Sequence, residues 1–196
     1  MDRDSELALV ARLRDGDADA LDAVHLAFNR VVFTFLLRLS RRRDVAEDLL
    51  EETWLRFVKH ARRLRADTRL GPWLFTVARN LYISYQRSRA LEHSTTAGLM
   101  SLWPTQAERS SPFEAAAASE LERRIERALA TMPAASREVL LLVGVAGLDH
   151  SDAADVCGLT PEALRQRLHR ARETLSRALE QEDAVGSASA LQRVPS

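Results

Sequence analysis

Apolar side chains return every third or fourth position through most of this chain, and nowhere do they alternate over the length of a strand. That pattern predicts an almost wholly helical protein. Ser5 to Leu13 reads as a short amphipathic helix with Leu7, Val10 and Leu13 inward. Asp15-Gly16-Asp17 breaks it, and Asp17 can cap the next helix. That second helix runs to about Leu39, with Leu21, Val24, Phe28, Val31, Val32, Phe35, Leu36 and Leu39 on its buried side. Arg41 to Arg43 close it, where positive charge suits the helix dipole. Asp44 to Glu47 is a capping-box pattern with Asp in place of Ser or Thr. It opens a helix carrying Val45, Leu49, Thr53 and Phe57 on one face, with Leu50, Trp54 and Val58 beside them. Glu47, Asp48, Glu51 and Glu52 face outward.

The strongest pattern lies in Gly71 to Arg89, GPWLFTVARNLYISYQRSR. Proline suits the first turn of a helix, so Gly71-Pro72 reads as its start. Trp73, Leu74, Val77, Ala78, Leu81 and Tyr85 then form a core face, and Arg79, Asn80, Ser84, Arg87 and Arg89 the opposite one. The preceding loop adds Arg62, Arg63, Arg65 and Arg69 against a single Asp67. Arginine contacts phosphates and base edges, asparagine reads adenine, and aromatics stack on unpaired bases. A solvated basic face on a core helix explains the same residues, so this stretch needs support from elsewhere.

The helical pattern dissolves between Ala90 and Ser111, where Ser, Thr, Gly and Pro accumulate around an apolar clump of Leu99, Met100, Leu102 and Trp103. Ser111-Pro112-Phe113-Glu114 is a second capping box. A helix follows as far as Met132, where Pro133 ends it, and Ser136 to Val145 forms a strongly apolar one. Two more come after Gly147: about His150 to Cys157, closed by Gly158, and a longer one capped by Thr160 and running to about Glu180. Two helices joined by a tight glycine turn behind an apolar support helix are the signature of a helix-turn-helix. In the second, Leu164, Leu168, Ala171, Leu175 and Leu179 line the core side. Arg165, Gln166, His169 and Arg172 are exposed, with Arg167 and Arg170 flanking, near the N-terminal end that such a helix offers to base edges. The fold expected is therefore all-α: two small helical domains, 5–90 and 112–182, joined by a flexible linker over 91–111, the second containing the helix-turn-helix. A polar, small-residue tail over 183–196 is expected to be disordered.

Composition narrows the function by exclusion. The 28 basic and 28 acidic side chains cancel, so affinity for nucleic acid has to come from segregated charge. Segregation is present: acid at 47–52, arginine at 62–89, arginine again at 165–172. The single cysteine, Cys157, forbids an internal disulfide and reads as a buried small hydrophobe. The five histidines are scattered, and no P-loop, HExxH or CxxC pair is present, so neither an enzyme nor a metal or cofactor site is expected. No apolar run reads as a membrane span and the N-terminus lacks the build of a signal peptide, which points to a cytoplasmic protein without membrane insertion.

Four blocks, DVAEDLLEETWLRF (44–57), GPWLFTVARNLYISYQRSR (71–89), MPAASREVLLL (132–142) and GLTPEALRQRLHRARETL (158–175), in this order and spacing, resemble the extracytoplasmic-function (ECF) group of RNA polymerase sigma factors. The resemblance spans about Leu9 to Leu179. It implies a transcription initiation subunit with no catalytic activity or cofactor. By position, Asp44, Asp48, Leu49, Glu51, Glu52 and Trp54 would bind the clamp helices of the polymerase beta-prime subunit. Arg62, Arg63, Arg65, Arg69, Arg79, Asn80, Ser84 and Arg87 would open and read the −10 promoter element, and Arg165, Gln166, Arg167, His169 and Arg170 the −35 element. The implied partners are core RNA polymerase, through its beta-prime clamp helices and beta flap, promoter DNA, and an anti-sigma factor. The chain departs from the family pattern in three places. Glu51 stands where glutamine is frequent, Asp149 to Ala154 replaces S-Y-x-E-I-A, and Glu162 to Gln166 replaces the usual residues before the R-L-H-R-A-R match. The −35 sequence therefore cannot be carried over. The competing reading is an autonomous helix-turn-helix regulator, which would bind duplex DNA tightly without polymerase.

Overall fold

The structure, a computed structural model, describes the backbone of residues 2–96 and 120–191 and the side chains of 2–91 and 121–181. Every regular element among them is helical: α1 (Arg3–Asp15), α2 (Ala18–Ser40), α3 (Arg43–His60), a single 3-10 turn (Ala61–Arg63), α4 (Leu70–Thr96), α5 (Glu120–Thr131), α6 (Ala134–Gly144), α7 (His150–Cys157) and α8 (Pro161–Leu191). The apolar clump at 99–103 and the capping box at 111–114 lie outside the described residues.

The helix ends follow local chemistry. Asp2 caps α1 by accepting from the Ser5 N–H at 2.9 Å. Gly16 ends it at φ +84°, a left-handed conformation that costs glycine nothing. Asp17 caps α2 as the sequence indicates, accepting from the Asp19 N–H at 2.9 Å. The capping box expected at Asp44 does not form. Helix α3 starts two residues earlier, with Arg42 in the cap position and no side-chain cap. The Asp44 carboxylate pairs with the Arg42 guanidinium instead, and this pairing holds its pKa below the usual carboxylate value. A charged fork two residues away outcompetes a neutral backbone N–H. Helix α4 likewise starts at Leu70 rather than at Gly71-Pro72, and Pro72 sits inside its first turn. Helical backbone also continues through 91–96 and 183–191, beyond the boundaries expected for linker and tail. No proline interrupts either stretch, and the lone Gly186 costs only about 1 kcal/mol in a helix interior.

Helix α2 is the central element of the N-terminal half. By length and mean hydropathy, 1.5 over its most apolar window, it matches a membrane span, so the expectation that no run is long enough does not hold on composition. Its apolar face is nevertheless used inside the bundle. Val24, Val32, Phe35, Leu36 and Leu39 are buried among residues of α3 and α4, and Phe35 meets Phe75 edge-on at 5.3 Å, an arrangement worth about 0.5–1.5 kcal/mol beyond burial. In the C-terminal half, α6, α7 and α8 pack around Val139, Leu141, Leu142, Ala153, Ala154, Val156, Leu164, Leu168 and Ala171, all buried.

The two halves pack on each other, α2 against α6 and α4 against α7. The contact is partly apolar: a Cβ added at Gly71 would lie 3.5 Å from Phe28 and 3.6 Å from Leu148. It is also strongly polar. Buried Arg137 of α6 donates to the carbonyls of Arg38 and Leu39 at 3.3 Å each, at the open C-terminal end of α2, and to Met132 O at 3.0 Å. Arg38 pairs with Glu126 at 2.5 Å, and Arg41 donates to Ala130 O at 3.0 Å. Helix-end carbonyls lack intrahelical partners, so a guanidinium fork satisfies them while favouring the negative end of the dipole.

Candidate polymerase and nucleic-acid interfaces

Helix α8 presents the face expected of a recognition helix. Thr160 Oγ1 accepts from the Ala163 N–H at 3.1 Å and fixes its start, and Gly158, at φ +65°, turns the chain sharply after α7. Leu164, Leu168 and Ala171 are buried, which leaves Arg165, Gln166, His169 and Arg170 exposed and Arg167 half-buried. Arg165 pairs with Glu162 and His169 lies 3.4 Å from Glu173, both on the surface. Pairs this exposed are worth little, so these side chains can be recruited by phosphates or bases at small cost. The adjacent Glu162 pairing lowers the Glu162 pKa through its hydrogen bond from Arg165.

The basic surface of the first half divides in two. Asn80, Ser84 and Arg87 form an exposed stripe along α4, at positions one turn apart. Arg62, Arg63 and Arg65 are exposed beside it in sequence, and Arg65 pairs with Asp67 at 3.1 Å. Arg69, expected in the arginine loop, and Arg79, expected on the outward face of α4, pair with acids of the C-terminal half instead. Arg69 pairs with Asp152 and reaches Asp149 at 3.4 Å; Arg79 Nε donates to Glu138 Oε1 at 2.8 Å. The Arg79 and Glu138 side chains are only 18% and 9% exposed, so this pair is far less screened than the surface pairs on α8. Burial raises the Asp152 carboxyl above its usual value, opposed by the charge of Arg69. The three buried acceptors and donors on this contact, Arg137, Glu138 and Asp152, were not legible as such. Charged residues near a helix start carry no sequence mark of burial; only the packing of a second module over them creates it.

The acidic face of α3 is half as simple as its sequence. Asp44, Asp48 and Glu51 are exposed and Glu52 is half-buried, while Leu49 is in the core at 8% exposure. Trp54 is half-buried: its indole N–H donates to Asn29 Oδ1 at 2.9 Å, and its ring stands 4.7 Å from His25 and 5.7 Å from Phe57. Glu47 is held by Arg43 and Glu52 by Arg56, each at 2.8 Å. Asp48 and Glu51 make no ion pair among the described residues. Sequence reading missed Leu55 and placed Val58 beside the core face; both are exposed, at 46% and 55%, and extend the Glu51 stripe along α3 at i+4 and i+7. Their spacing was the available signal. Cys157 is buried, and burial together with the nearby Glu138 carboxylate pushes its thiol up to about 12, as suits a small core residue.

The chain matches the sigma-70 region 2 family over residues 25–92 and the sigma-70 region 4 family over residues 122–175. It is 35% identical over 145 residues to the ECF RNA polymerase sigma factor EcfG of Rhodopseudomonas palustris, covering 74% of this chain and 77% of the relative. It is 30% identical over 187 residues to the ECF sigma factor SigC of Mycobacterium tuberculosis, covering 94% and 97%. Among solved structures, it superposes with a TM-score of 0.67 and 28% identity on the sigma factor RpoE of Bartonella quintana, seen there in complex with the anti-sigma factor NepR, over 80% of this chain and 94% of that one. Two family matches on the two halves, whole-length relatives and the shared fold agree: the chain belongs to the extracytoplasmic-function group of RNA polymerase sigma factors.

Proposed function

We propose that this sigma factor directs core RNA polymerase to its promoters by reading duplex DNA with α8 and capturing unpaired bases with α4 and the arginine segment before it. The observation that carries the reading is the separation of two exposed basic faces, Arg165, Gln166, His169 and Arg170 on one half, and Asn80, Ser84, Arg87 with Arg62, Arg63 and Arg65 on the other. Each good bidentate contact discriminates a base pair by about 1–3 kcal/mol, and a stacked or pocketed base is worth about as much. Neither face alone opens DNA at a random site. Pyrimidine–purine steps unstack most readily, which favours capture over forced melting.

In this proposal residues 5–90 act as region 2, 91–111 as linker, 112–182 as region 4 and 183–196 as tail. The exposed acids and apolar residues of α3, Asp44, Asp48, Glu51, Leu55 and Val58, form the clamp-binding surface, with Glu52 and Trp54 at its edge. Leu49 acts from behind as packing. The factor works in the cytoplasm, adds no catalytic group of its own, and is held in check by an anti-sigma factor, as the Bartonella quintana neighbour is bound by one. The test is run-off transcription with core polymerase on a promoter library, with gel shifts of the same templates run with and without core. Promoter-specific transcripts and a shift that needs core support the reading. Tight duplex binding without core, and no transcription, would instead favour the autonomous regulator.

A further inference from the structure

Helix α1 carries none of the motifs above, yet it is built against the whole arginine segment. The segment from Leu64 to Arg69 has no helical backbone of its own, and its internal main-chain bonds are Leu64 N–H to Ala61 O at 3.3 Å and Thr68 N–H to Arg65 O at 3.0 Å. Asp149 and Asp152 of the C-terminal half hold the Arg69 side chain, and the main chain between Asp67 and Leu70 is held by α1. At one end Arg3 donates to Asp67 O at 2.8 Å and Thr68 O at 3.5 Å. Glu6, paired with Arg3 at 2.6 Å, accepts the Leu70 N–H at 2.8 Å. That N–H is the first of α4, a donor the helix itself leaves without a partner, at the positive end of its dipole. At the other end the Arg62 guanidinium lies against Gly16: a Cβ there would come within 2.7 Å of its central carbon. Between the two ends, Leu9, Val10 and Leu13 of α1 share the core with Ala61 and Leu64. A helix of this length is about 20 Å long, enough to lie beside the segment from end to end.

We infer that α1 is a splint for base capture, and that Arg3 and Glu6 are positioning residues for the −10 element. They touch no DNA themselves. They fix the backbone at Asp67, Thr68 and Leu70, and with it where Arg65 and the start of the Asn80 stripe are presented. The inference rests on the proposed reading of this segment as the −10 surface.

The experiment uses the full chain with core polymerase and two template libraries, one randomised over the −10 element and one over the −35, with transcripts counted by sequence. The variants are Arg3→Ala/Glu6→Ala, the conservative Arg3→Lys and Glu6→Gln, and Arg65→Ala. The double variant is expected to flatten the −10 preference about tenfold, the loss of charge-assisted hydrogen bonds, while the −35 preference stays within about twofold. Arg3→Lys and Glu6→Gln each keep a donor or acceptor and are expected to keep most of the preference. If Arg65→Ala flattens the −10 preference and the double variant does not, the splint is wrong and the −10 reading stands. If neither flattens it, both are wrong. Equal losses in the two libraries would make α1 merely structural and overturn the inference.

Discussion

Single residues in this protein take their character from what covers them. Cys157 is an example: its thiol is pushed up to about 12 by burial first and the Glu138 carboxylate second, so it stays protonated at neutral pH. Alkylation by iodoacetamide at pH 8 is expected to run about three orders of magnitude slower than for an exposed thiol and to accelerate in denaturant. A native rate matching a free thiol would contradict this. The same shift sets a pH trend. Between the ordinary thiol value of 9.0 and about 12 the unfolded chain has released a proton that the folded one retains, so stability falls as pH rises through that window. Cys157→Ala is expected to remove that part of the slope, read from urea unfolding across the alkaline range.

At the scale of an element, the start of α7 and the outer face of α3 behave differently. Asp149 caps α7 by accepting from the Asp152 N–H at 2.8 Å, and this bond is the main reason its pKa is lowered. Asp149→Ala is expected to cost about 0.5–2 kcal/mol in chemical denaturation. In the parent protein the cap contributes at pH above 3.8 and is lost as pH falls through the depressed value; an acid limb identical in parent and variant would argue against the cap. On α3, Asp48→Lys/Glu51→Lys reverses the two exposed carboxylates that have no ion pair among the described residues. Co-purification with core polymerase is expected to drop steeply while the thermal midpoint hardly moves, because surface charges away from buried pairs contribute little to folding. Undiminished co-purification would remove α3 as the clamp surface.

On the scale of the whole molecule, the ion pairs between the halves draw on two arginines that the sequence resemblance alone would assign to the −10 element. Arg69 and Arg79 are engaged by Asp149, Asp152 and Glu138, and Arg137 grips the end of α2. A little-screened pair that loses one charge leaves the other uncompensated, so breaking it destabilises the contact more than any surface pair would. Glu138→Gln is therefore expected to loosen the halves, seen as a larger radius of gyration in solution scattering at moderate salt, with helical content unchanged. A radius equal to that of the parent chain would show that the apolar contact around Leu148 suffices.

Much of this is legible in the order of the amino acids. Periodicity set the helices, glycine and aspartate set several of their ends, and most of the core faces of α2, α4 and α8 could be written down, because burial of an apolar stripe is a local, repeating requirement; Phe75 and Tyr82 of α4, both buried, were not on the expected face. The exposed stripes of Asn80, Ser84 and Arg87 and of Arg165, Gln166 and His169 follow as their complements. What the chain order alone could not decide is which charges face each other. Arg69 and Arg79 pair with acids 59 to 83 positions away, and Glu6 caps a helix 64 positions on. A charge's partner depends on distance in space and on the water excluded around it, and both exist only once the helices have packed.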